Sequence, residues 1–469
     1  MTSTADRPRV VLSFDVEDVV TPESDDAIVW LADLIGRHGM SAGFFLTGDK
    51  ARALAARGRT DVVDALRGHD IGFHSDGHSR HPTISEYLET RTWDEGRAEV
   101  LAREAAGADF LRELTGRRLW AFATPGTSWG PQIPATVAEL GISSHVHSFS
   151  RIPSDDQPHW YAGALCFARR SMIGPVEDDL ADAARFADLR ARIRPLVAER
   201  AASGGVVQLY LGHPTMFVNA EFWDAVNFAD GRNPDSPTLR RPVGRSREST
   251  SLMLANLDLL LTELSGFADV VPFSEVVQSL TGARPGFDEG RLAAAVGEAR
   301  AAGTVTVTSR WASPAQLTYV LCRELAGRGL VAGDPLPEVL GPTDPADSRE
   351  LPANPPAVRP ATLCALASSL CEHVETRGTL PRSVAHGDTV LSTGALYRTL
   401  VDAWRRPGPA EADWIPVRTG HDAPDVGAEI AEYYTRRSTR WLHSPAFDPA
   451  PLARLADAQS WSLRRGAAS

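Results

Sequence analysis

The amino-acid sequence predicts an α/β fold built on parallel strands, followed by a smaller, mostly helical C-terminal part. Two observations predict it. Short apolar runs alternate with helical stretches as far as about residue 280, and beyond Gly286 helical periodicity takes over. Strands separated by helices need crossover connections, so the alternation reads as a barrel or a doubly wound parallel sheet. At ~150 residues per domain, 469 residues allow two or three domains, or one large barrel with an appendage.

The strand candidates, in order, are residues 10–14, 42–46, 71–73, 119–122, 206–211 and 270–273. Helical segments lie between them at 25–37, 94–114 and 249–264, the last opening on Ser249-Thr250. Helices follow at 288–302 and 313–327, the second begun by Ser313-Pro314, a cap with proline at the first helical position. Eight prolines between Pro335 and Pro360 exclude a helix or a central strand there and predict an extended strap. Residues 361–376 and 393–405 are helical again, and Ser313…Leu317…Leu321 is echoed by Ser392…Leu396…Leu400 as a weak internal repeat. The tail carries Trp414, Trp441 and Trp461, too aromatic for a disordered tag. The expected division is a catalytic unit at 8–285 and an accessory unit at 286–469 containing the strap at 335–360.

Charge and cysteine usage narrow the function. With 48 Lys+Arg against 60 Asp+Glu the net charge is −12, which argues against a nucleic-acid partner. Cys166, Cys322, Cys364 and Cys371 form neither a disulfide framework nor a CxxC zinc site. The first residues contain no apolar signal region, and no run approaches the ~18 apolar residues of a membrane span. The expectation is a cytoplasmic protein without a membrane partner.

Three local patterns carry chemistry. Ser13-Phe14-Asp15-Val16-Glu17-Asp18 ends the first strand with three carboxylates in four residues, whose mutual repulsion calls for a cation or a base with a raised pKa. His74-Ser75-Asp76-Gly77-His78 follows the third strand, and a helical turn there would bring its two imidazoles to one metal. Leu209-Tyr210-Leu211-Gly212-His213 is an apolar strand that again ends in histidine. All three stand at the carboxyl ends of strands, the edge where α/β barrels gather catalytic residues.

On these residues the sequence resembles the polysaccharide deacetylase (NodB-homology, carbohydrate esterase family 4) superfamily. The carriers are Phe14-Asp15-x-Glu17-Asp18, His74-Ser75-x-x-His78, Phe122-Ala123-Thr124-Pro125-Gly126, Leu211-Gly212-His213, and Ala42-Gly43-Phe44-Phe45-Leu46 as second strand. The resemblance spans residues 8–280. It implies a distorted (β/α) barrel holding one divalent metal ion, zinc first, with Co²⁺, Ni²⁺ or Mn²⁺ as alternatives. It further implies His74, His78 and one acidic residue as ligands, Asp15 as general base and His213 as general acid. Val16 stands where relatives place the acidic ligand, so Asp18 is expected in that role, with Glu17 as the alternative. The arginine expected to orient the base is replaced by Ala123. Pro125, Gly126 and Trp129 are the expected substrate-binding residues, with Trp129 as a hydrophobic wall.

The implied activity is metal-dependent cleavage of an amide bond, most simply N-deacetylation of an acylated amino sugar or a related small acylamino compound. The alternatives are a cyclic-amide or ureide hydrolase and a non-catalytic glycan-binding protein on the same scaffold. Residues 363–400, with Gly378-Thr-Leu-Pro381 and Val390-Leu-Ser-Thr-Gly-Ala-Leu396, resemble pseudomurein-binding repeats, which implies glycan contact. The expected partners are a saccharide or small-molecule substrate and a second copy of the chain, met through the C-terminal domain.

Overall fold

The computed structural model describes residues 7–126, 128–148, 158–168, 172–202, 205–281, 286–303, 305, 309–329, 335–343, 353–405, 414–419 and 442–466. Its strands are β1 (Arg9–Val16), β2 (Ala42–Leu46), β3 (Asp70–Phe73), β4 (Leu119–Ala123), β5 (Ser144–Ser148), β6 (His159–Tyr161), β7 (Ala164–Ala168) and β8 (Met172–Ile173). They continue with β9 (Val207–Gly212), β10 (Asp269–Val270), β11 (Ala357–Val358), β12 (Ser383–His386), β13 (Thr389–Ser392), β14 (Ile415–Pro416) and β15 (Arg464–Arg465). One sheet of eleven strands runs β15-β6-β7-β5-β4-β3-β2-β1-β9-β8, with β10 beside the start of β1. All its pairings are parallel except those of β6 with β7 and β15. Among the described residues β8 and β15 stay at its ends, so the distorted barrel is an open one.

The period-two alternation of each strand divides this sheet into two faces. Val10, Leu12, Phe14, Ile71, Phe73, Phe122, Leu209 and Leu211 point to a large apolar cluster shared with the helices Glu23–Arg37, Trp93–Thr115 and Arg247–Ser265. Val11, Phe45, Ala121, Ala123, Val146, Leu165 and Phe167 point the other way, into a small cluster closed by Phe273. Sequence periodicity assigned Phe273 to a strand, but it begins the helix Phe273–Thr281 and packs 4.7 Å from the Phe167 ring. Gly72 is required here, since a Cβ would sit 2.1 Å from Phe45 Cδ1.

The helix ends follow local chemistry. Thr92 and Glu95 form a capping box, and Gly116 at φ 65° ends the same helix. Ser246 rather than Ser249 caps Arg247–Ser265. Strands β5 and β6 escaped sequence reading because polar residues such as Ser144, His145 and His159 interrupt their apolar pattern, and β7 and β8 escaped it as short apolar runs; the fold buries Ser144 and His145, with Thr124 Oγ1 3.0 Å from His145 Nε2.

Beyond residue 286 a second apolar cluster joins the helices Glu289–Ala302, Pro314–Leu325, Pro360–Arg377 and Thr393–Ala403. Ser313 and Ser392 both cap their helices, as the repeat predicts, and the hairpin β12–β13 leads into the latter. In the strap, Leu340 pairs with Thr379, and Gln459 bonds the carbonyls of Gly341 and Pro342; Trp441 and residues 344–352 lie outside the described residues. The chain then returns to the barrel. Helix Ala450–Gln459 adds Leu452 and Leu455 to the large cluster, and β15 extends the sheet at β6.

Candidate metal and hydrolase site

The carboxyl ends of β1, β3, β4 and β9 converge, and alternation decides what they present. On β1, Phe14 and Val16 face the helices, so Asp15 and, just past the strand end, Glu17 face inward. Glu17 Oε2 lies 3.1 Å from His74 Nε2 and 2.8 Å from His78 Nε2. Glu17, His74 and His78 offer three donor atoms within 4.8 Å of one another, all buried.

Asp18, the expected third ligand, is turned away. Its Oδ1 accepts from the backbone N–H groups of Val20 and Thr21, and its Oδ2 accepts from Thr215 Oγ1 and Asn219 Nδ2. Swinging it toward the histidines would strip the acceptor from the Val20 and Thr21 N–H groups and the Thr215 hydroxyl, at ~1–3 kcal/mol each. The carboxylate facing the imidazoles is therefore Glu17. The sequence signal that finds it is strand phase, since Asp15 and Glu17 are two apart and Asp18 is not in step.

The histidine loop is not helical. Ser75 and His78 adopt left-handed φ of 65° and 48°, and the Ser75 hydroxyl accepts from the His78 N–H. Gly48 N–H donates to Ser75 O and Asp49 N–H to Asp76 O, which pins the loop against the start of the helix Gly48–Ala56. Gly48 and Gly107 leave room for the Asp76 carboxylate, which a Cβ on either would strike at 1.9 or 2.1 Å.

Each imidazole is oriented from behind. His74 Nδ1 donates to Ala123 O at 3.0 Å, which leaves Nε2 for the site. His78 Nδ1 lies 2.8 Å from Ser79 Oγ and 3.3 Å from Asp224 Oδ2, while Ser79 Oγ donates to the same carboxylate at 2.6 Å. A carboxylate behind a ligating histidine fixes its tautomer and raises its basicity. Sequence reading missed Asp224, which sits beside Phe222-Trp223; Trp223 is buried, its Nε1 3.3 Å from Glu17 Oε1. The site favours positive charge. Burial opposes ionisation of Glu17, but the adjoining His78 and His74 imidazoles hold its carboxyl well below the usual range.

This donor set fits a divalent cation. Two neutral imidazoles and a carboxylate are a familiar ligand set for zinc, and bonds of ~2.0–2.1 Å imply tetrahedral edges of about 3.3 Å, near the separations found. Among the described residues Glu17 Oε2 accepts no well-formed hydrogen bond.

On the other side stand Asp15 and His213. Asp15 Oδ2 is 3.8 Å from His74 Nε2 and accepts from Tyr210 Oη at 2.8 Å, while Oδ1 has no hydrogen-bond partner among the described residues. His213 Nδ1 is 3.0 Å from Glu177 Oε1, and Glu177 also accepts the His213 backbone N–H. Gly212, at φ 101°, is what allows this approach, because a Cβ there would lie 1.5 Å from Glu177 Oε2. Burial opposes charging His213, but Glu177 outweighs it and lifts the imidazole to about 9. His213 thus carries a proton at neutral pH.

The expected substrate residues separate. Trp129 is fully buried, 6.2 Å from the Tyr161 ring, and forms core rather than an exposed wall. Pro125 is buried, and Gly126 abuts Leu442, which a Cβ would meet at 2.0 Å. Leu442 belongs to a segment held on the barrel by Thr83 Oγ1 to Leu442 O and by His443 Nε2 at 2.7 Å from Ser85 Oγ. Phe222, half-buried and 4.7 Å from the His213 ring, is the aromatic group beside the acid.

The open parallel α/β barrel thus gathers buried Glu-His-His donors able to hold a cation, a second carboxylate and a histidine at one sheet edge. Residues 2–145 match the family model described as polysaccharide deacetylase, and the N-terminal part of the chain carries that family's pattern. No curated protein sequence matches the chain. Among solved structures it is similar to a Mycobacterium smegmatis protein assigned to the polysaccharide deacetylases, at 15% identity and TM-score 0.37, over 60% of this chain and 92% of that one. A family 4 carbohydrate esterase from Streptomyces lividans matches at 14% identity and TM-score 0.30, over 57% and 95%. A family pseudoenzyme from Bacillus anthracis matches at 14% and 0.29, over 58% and 66%.

Proposed function

We propose that the chain is a metal-dependent amidohydrolase that removes an acyl group, most simply acetyl, from an acylated amino sugar or a related small acylamino compound. The observation that carries this reading is the convergence of Glu17, His74 and His78 donors beside Asp15 and a protonated His213. A divalent ion held by Glu17, His74 and His78 would supply Lewis acidity and lower the pKa of a water from 15.7 toward ~7. Asp15 accepts the proton of the attacking water through Oδ1, its unpaired oxygen. His213 donates its proton to the departing amine, and Glu177 stabilises the charge on the ring until then. The products are a carboxylate and a free amine. Asp15, Glu17, His74 and His78 are buried and His213 is half-buried, which limits the access of bulk water to the reacting groups. We assign residues 8–285 to catalysis and 286–469 to an accessory unit whose last segment is docked on the barrel.

The test combines metal analysis with product release from a panel: acetate from N-acetyl sugars and acylamino compounds, and newly formed amine and carboxylate groups from cyclic amides and ureides. Stoichiometric zinc with hydrolysis that Asp15→Asn abolishes is expected. Bound metal with no hydrolysis across the panel would leave a binding protein.

A further inference from the structure

We propose that Tyr210 is the positioning residue that holds Asp15 in place and tethers the acid proton of His213. The inference rests on the hydrolase reading above. Ala123, on β4, offers the base nothing but a methyl group, whereas Tyr210 reaches it from β9, the strand next to β1. Ser13 pairs with Tyr210 across these strands, and a register shift follows between Ser13 and Phe14. Gln208 Nε2 bonds Ser13 Oγ one step below, so Ser13 and Asp15 of β1 share the inward face with Gln208 and Tyr210 of β9.

Proton counting fixes the direction of the chain. A phenol carries one proton, and an ionised carboxylate can only accept. The Tyr210 hydroxyl donates to Asp15 Oδ2 at 2.8 Å, so at 2.9 Å from His213 Nε2 it must accept. His213 Nδ1–H is committed to Glu177 at 3.0 Å. The one consistent order is Glu177 accepting from Nδ1–H, Nε2–H donating to Tyr210, and Tyr210 donating to Asp15. Tyr210 thereby occupies Asp15 Oδ2, leaves Oδ1 for water, and keeps the transferable Nε2–H of His213 aimed along the same line. Its side chain is buried, so no solvent molecule takes over this bond.

The experiment is Tyr210→Phe in the full chain. It should lower kcat by about 10–100-fold, the range for an outer-shell partner, with KM changed less than about 2-fold and zinc content unchanged. In zinc-free protein, imidazole nitrogen NMR should show the His213 Nε2–H losing its exchange protection while Nδ1–H keeps it. Asp15→Asn, which preserves an acceptor oxygen for the phenol, should leave that Nε2–H signal in place. An unchanged His213 Nε2–H signal in Tyr210→Phe overturns the proposal, as does a wild-type kcat. If wild-type protein hydrolyses nothing in the panel, the hydrolase reading fails while the NMR arm still decides the role of Tyr210.

Discussion

The two halves of the site are built in different ways. In the cation half both imidazoles are local to one loop, with Glu17 at the end of β1, and their braces come from Ala123 O, Ser79 and the distant Asp224. The proton-transfer half is assembled across the fold, with Tyr210 and His213 bonded to Asp15, 195 residues away from Tyr210 in sequence, and to Glu177, 36 residues before His213. The local half depends on backbone conformation, including two left-handed residues. The distributed half depends on charge and hydrogen bonding between strands, so it should lose function gradually where the other loses it at once.

The largest effect should come from exchanging the neighbours Glu17 and Asp18. Glu17→Ala should abolish stoichiometric zinc and cost more activity than the ~10–100-fold worth of an outer-shell partner. Asp18→Ala should retain zinc and instead lose about 1–3 kcal/mol of stability, because the Thr215 hydroxyl and the turn N–H groups lose their acceptor. Metal titration and denaturant unfolding of both variants check this, and the opposite pattern would restore Asp18 as ligand. Next in size, Asp224→Asn should weaken zinc affinity by about 10–100-fold while leaving the fold intact; competition with a chelator measures it. An unchanged affinity would show that Ser79 alone orients His78.

The smallest effect belongs to Glu177→Gln, which should move the alkaline limb of the rate profile from about 9 down toward 6.5. The sign follows from linkage. A histidine whose folded value is raised contributes stability that is fully present below its unfolded value, near 6.5, and is lost as pH rises through about 9. Unfolding midpoints at pH 6 and pH 9.5 should therefore differ less in Glu177→Gln than in wild type. Parallel pH dependence in the two proteins would contradict the pairing.

How legible each half was follows from the same contrast. Asp15, His74, His78 and His213 stand at strand ends in the sequence, and the structure brings all four together. Glu17 was readable from the phase of β1, but the family resemblance drew the choice to Asp18. Tyr210 sat in plain view inside an apolar strand, where one polar residue two positions from Gln208 marks an inward face. Glu177 gave no sequence signal: the charge run Asp178-Asp179 and Asp182 beside it reads as a solvated helix start, and the fold buries Glu177 against Gly212. Trp129 shows the converse, an aromatic beside a functional loop that the fold consumes as core.

Taken by itself, the sequence determined the α/β class, the alternation of most strands and helices, and the residue types available at each strand end. Those depend on periodicity and on neighbours a few positions away. Only the tertiary structure decided which carboxylate meets the histidines, which hydroxyl holds the base, and that the last segment, 450–466, returns to the barrel while its Trp461 stays packed among the helices before it. Such choices are settled by the inward or outward phase of a strand and by contacts hundreds of residues apart in the chain, which no local pattern records.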